Sequence, residues 1–106
     1  MTITKSDWKI FRERLPEWQE AYMEKLVKNY AEYLESELPA STKFWELEKR
    51  IKQDKRRPGV LLALDKSEMP WDLMRLIKDG VISIDDLADF SEELQEEVRS
   101  RIEFFG

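Results

Sequence analysis

Residues 16–38 read PEWQEAYMEKLVKNYAEYLESEL, and this stretch decides the fold class. Trp18, Tyr22, Leu26, Tyr30, Leu34 and Leu38 recur every four positions, with Met23, Val27 and Tyr33 widening the stripe. Apolar residues at that spacing lie along one side of an α-helix and would alternate between the faces of a strand. Glutamates and lysines fill the gaps, with Glu24 one turn before Lys28 in the attractive order and Glu20 one turn before Glu24 in the repulsive one. The spacing therefore predicts a long amphipathic helix over 16–38, stopped by Pro39. Its Leu/Tyr stripe serves self-association as readily as an internal core, so a homo-oligomer stays open.

Working outward, Thr4-Lys5-Ser6-Asp7 reads as a capping box that opens a short helix to about Arg14, carrying Trp8, Ile10, Phe11 and Leu15. Pro16 is expected to end that helix and to start the next at an angle. Downstream, Ser41 or Thr42 begins a helix with Phe44, Leu47 and Ile51 on one face and Trp45 beside them, ending before Pro58-Gly59. Ser67, Pro70 and Gly80 bracket another helix over 67–78. Ser83 opens a short one to about Phe90, and Ser91 caps a last one to about Phe105. The apolar run 60–64 is too short for periodicity to separate strand from helix, and it could pair with 81–82 as a minimal two-stranded sheet. The expectation is one all-α domain over 1–106, a compact bundle of about five helices.

Composition removes many functions. There is no cysteine and no histidine, so disulfides, thiol nucleophiles, imidazole acid–base catalysis and the commonest metal ligand are absent together. Three glycines, at Gly59, Gly80 and Gly106, cannot form a phosphate-cradling loop. No stretch reaches the ~20 apolar residues of a membrane span, and the start lacks the apolar segment of a secretory signal. A cytoplasmic location is expected, with neither cofactor nor metal nor membrane. Asp85, Asp86, Asp89, Glu92 and Glu93 lack the spacing of a calcium loop and suit the helix starts they occupy. A carboxylate/Mg²⁺-dependent enzyme is consequently the weakest reading.

Charge is distributed unevenly. Between residues 43 and 57 seven basic residues face three acidic ones, whereas residues 85–106 hold eight acidic and two basic. The acidic segment, with Asp85, Asp86, Asp89, Glu92, Glu93, Glu96 and Glu97, suits docking on a basic protein surface. The basic helix end, with Lys49, Arg50, Lys52, Lys55, Arg56 and Arg57, suits phosphates. Tyr33 and Trp45 stand among these charges as candidate aromatic anchors. The preferred expectation is a non-enzymatic interaction module, a regulator or inhibitor of bacterial or phage type. It would dock a larger, nucleic-acid-handling protein, in the manner of phosphate mimics or anti-CRISPR inhibitors. The alternative is a nucleic-acid-binding module using residues 49–57.

Overall fold

A computed structural model describes all 106 residues, Met1–Gly106, as a mostly helical, all-α protein. Four α-helices follow in order: α1 Lys5–Leu34, α2 Ala40–Asp54, α3 Met69–Lys78 and α4 Glu92–Phe105. Two 3₁₀ turns, Lys66–Glu68 and Ile84–Leu87, precede α3 and α4. The radius of gyration is 16.5 Å, with extents of 52 × 27 × 22 Å. A compact chain of ~100 residues has about 13 Å, so this molecule is elongated.

The elongation comes from α1. Its 30 residues span ~45 Å at 1.5 Å per residue. The N-terminal half packs with α3 and α4 into a head. The C-terminal half runs on beside α2 as a two-helix arm. The core is confined to the head, where Phe11, Leu15, Met69, Leu73, Leu76 and Leu87 meet Ile82, Phe90, Leu94 and Val98. No buried residue lies between 16 and 57.

The caps form largely as the residues suggest. The Thr4 hydroxyl accepts from the Asp7 N–H at 3.1 Å, and Ser91 Oγ accepts from the Leu94 N–H at 3.3 Å. Ser83 and Asp86 make a capping box, and Gly80 turns the chain after α3 at φ 74°. Asp7, however, does not close a box on Thr4. Its carboxylate accepts from Ser91 N–H at 2.8 Å and Ser91 Oγ–H at 2.5 Å, joining the starts of α1 and α4 across the head.

Several expectations are corrected. Pro16 does not end a helix; it lies inside α1. The proline is exposed and so is Arg12, whose carbonyl loses its intrahelical donor. Water can satisfy that carbonyl, while Phe11 and Leu15, on the core side, keep the rod continuous. The helix ends at Leu34 rather than Leu38, because Pro39 disfavours helical backbone at Leu38 and a short link is needed to turn α2 back. Pro39 itself, not Ser41 or Thr42, stands at the start of α2, and no side chain caps it. No strand exists and the pair 60–64 with 81–82 does not form. The Val60 and Leu61 N–H groups donate to the Arg57 carbonyl, and those of Val81 and Ile82 to the Leu76 carbonyl. The first pair closes a turn beyond α2 and the second closes the end of α3, so neither builds a ladder. The bundle of about five helices is four α-helices, of which only the head packs as a bundle.

Candidate functional site: two charged surfaces and an apolar flank

The base of the arm is locked before the charges are placed. Pro58 and Gly59 are buried, Gln19 Nε2–H donates to the Pro58 carbonyl at 3.0 Å, and Gly59 lies so close to the Tyr22 ring that a Cβ would collide with it. The Tyr30 hydroxyl donates to Asp54 near the end of α2. Burial, then this bond to a carboxylate, pushes the Tyr30 phenol up to about 12, so it remains a donor. These contacts fix the C-terminal end of α2 and the turn after it against α1.

Fixing that end gathers cations from distant parts of the chain. Arg56, Arg57, Arg75 and Lys78 line a surface depression of about 340 Å³ with Gln53 and Asp79. Lys49, Lys52, Gln53 and Arg56 line an adjoining one of about 370 Å³ with Glu48. Part of this charge is already matched. Arg57 pairs with Asp54 at 3.2 Å and Asp79 at 3.7 Å, Arg75 with Asp72 at 3.3 Å, and Lys52 with Glu48 at 3.0 Å. Lys49, Lys55 and Arg56 have no ion partner within 4.0 Å. Arg50 turns inward from the basic set, bonding Glu46 at 3.2 Å and standing 4.1 Å over the Tyr33 ring. Tyr33 is thereby half-covered, whereas Trp45 is open and meets Phe44 edge-on at 5.0 Å.

Sequence reasoning missed Arg75 and Lys78. They lie outside the basic segment, and nothing in spacing along the chain reports that α3 ends beside α2. Asp72, one turn before Arg75, was missed as well. Burial raises its carboxyl to about 6, although Arg75 pulls the other way.

The acidic segment is split by its own contacts. Asp86 caps its turn by accepting from the Ser83 N–H at 2.8 Å, Asp89 pairs with Arg14 at 2.6 Å, and Glu97 pairs with Arg101 at 2.9 Å. Asp85, Glu92, Glu93 and Glu96 remain exposed without an ion partner. Glu92 and Glu96 share one side of α4 at one-turn spacing, and Glu93 lies beside them. No three acidic side chains converge as a metal-ion ligand set.

A third surface emerges only in three dimensions. Val27, Phe44 and Trp45 keep 62%, 63% and 64% of their surface exposed, and Leu34 and Ile51 also remain open. Met23, Leu26, Val27, Tyr30, Ile51 and Val60 line an apolar groove of about 300 Å³ between α1 and α2, edged by Lys55. No helix is long and apolar enough to cross a membrane. Compared with protein-family models, curated proteins and solved structures, the chain matches none, and its reading rests on these three surfaces.

Proposed function

We propose that the protein is a non-enzymatic interaction module, a regulator or inhibitor that docks a larger, nucleic-acid-handling protein through its charged helical surfaces. The carrying observation is the acidic set Asp85, Glu92, Glu93 and Glu96, which stays exposed and unpaired after its neighbours are consumed by capping and ion pairs. Carboxylates held one turn apart on a helix imitate the repeating charge of a phosphate backbone and steer encounter with a basic cleft. The test is affinity capture from the source cell with the native chain and with Glu92, Glu93 and Glu96 changed to Lys. Loss of the captured protein in the variant supports the reading; equal capture by both sinks it.

A second reading has its own observation. Arg75 and Lys78 join Arg56 and Arg57 on one depression, so the fold concentrates positive charge beyond the segment 49–57. That arrangement supports phosphate contact by a nucleic acid. Filter binding of an oligonucleotide across a salt titration decides it, since phosphate contacts demand a steep loss of affinity with salt. Absence of binding at low salt removes this reading.

A further inference from the structure

We infer that the apolar flank of the arm is the interface with a second copy of this chain, two arms joining side by side into a four-helix bundle. This goes beyond the charged surfaces and does not depend on them.

The first support is register. Val27 and Ile51 line the same groove, and the Lys43 ammonium donates to the Leu34 carbonyl at 2.7 Å, so α1 and α2 run antiparallel at matched heights. Seven residues along each helix, Leu34 and Phe44 return to the side of Val27 and Ile51. Both helices thus carry apolar residues along one continuous flank. A two-helix hairpin cannot cover such a flank itself, whereas a second hairpin can.

The second support is self-complementarity. Glu24 and Lys28 edge the flank beside Val27 on α1. Lys55 edges it on α2, and Glu48, which pairs with Lys52 at 3.0 Å within the protomer, follows Phe44 by one turn at the rim of that side. A two-fold axis along the arm lays α1 of one protomer against α2 of its partner at equal height. Glu24 then faces the partner's Lys55, and Lys28 faces the partner's Glu48. Both contacts join opposite charges, and each occurs twice, as an isologous interface requires. Within one protomer neither Glu24 nor Lys28 has an ion partner within 4.0 Å.

The third support is area. Two helices ~22 Å long and ~10 Å apart present a corrugated face. Its accessible surface is on the order of the ~800 Å² per partner that a standard interface buries.

Sedimentation velocity of the full chain from about 1 to 100 µM tests the proposal. The native protein should sediment as a dimer that dissociates on dilution. Ile51→Glu should give a monomer with unchanged helical circular dichroism, because Ile51 contributes nothing to the head core. Glu24→Lys alone, and Lys55→Glu alone, should each weaken the dimer ~10-fold or more, and the double swap in one chain should restore it. A native monomer throughout that range overturns the proposal. So does a dimer indifferent to Ile51→Glu, or a double swap no better than the singles.

Discussion

In the head, Phe11, Leu73, Leu76 and Leu94 have no exposed surface, whereas in the arm Val27, Phe44 and Trp45 keep more than half of theirs in water. Both regions are amphipathic helix. The head closes because α3 and α4 pack on the start of α1 and the link before α4 fills the remaining side with Leu87 and Phe90. The arm has only two helices, and two cylinders in contact leave most of each surface uncovered. Similar apolar side chains therefore act as core in one region and as available surface in the other. Full burial of such a side chain contributes ~1.5–3 kcal/mol, and that gain is unclaimed along the arm of a single copy.

The sharpest way to break this contrast is to truncate the core. Leu73→Ala should destabilise the protein by ~3–5 kcal/mol in urea unfolding, while Ile51→Ala in dilute, monomeric protein should cost well under ~1 kcal/mol. Equal costs would show that the arm shares the core. Asp7→Ala comes next, at about 2–4 kcal/mol. It leaves the Ser91 N–H and hydroxyl without their acceptor and removes an anion from the start of α4. Thermal unfolding should show the loss, and hydrogen exchange should place it in the head.

A smaller effect has the opposite sign. Asp72 binds its proton more tightly folded than unfolded, with a carboxyl at about 6 against 3.8. Its stabilising contribution is therefore complete below about 3.8 and is lost as pH rises through about 6. Asp72→Asn should raise the unfolding free energy at pH 7 by ~1–2 kcal/mol and flatten its pH dependence between those values. Unchanged stability at pH 7 would mean that Arg75 already offsets the burial. The smallest effect belongs to the arm surface: Lys52→Ala breaks the exposed pair with Glu48 and should cost at most ~0.5 kcal/mol by the same urea measurement.

Local signals read well from the sequence because local physics decides them. Thr4, Ser91, the Ser83–Asp86 box and Gly80 stand where short side chains satisfy helix ends or where φ must be positive. Pro16 misled because its effect depends on what lies across from it; an exposed proline can be carried by a helix whose other side is packed. The run 60–64 misled for the same reason. Leu62 packs on the core while Leu61, Ala63 and Leu64 face solvent, and no neighbouring strand pairs with the segment. At the charged surfaces, Lys49, Lys52, Arg56 and Arg57 were legible from their segment. The arrival of Arg75 and Lys78, and the Asp7–Ser91 link between residues 84 positions apart, depend on packing that spacing does not encode.

Because one uninterrupted helix belongs to both regions, α1 works as a lever. Its fulcrum is the stretch around Pro16, where the rod lacks one backbone bond. From there to Leu34 the load arm is ~27 Å. A tilt of about 5° at the proline would sweep the far end by about 2 Å, enough to shift one side chain relative to its neighbour. Strain applied at Leu34 would thus be felt where Phe11 and Leu15 seat in the head, with no loop along α1 to absorb it.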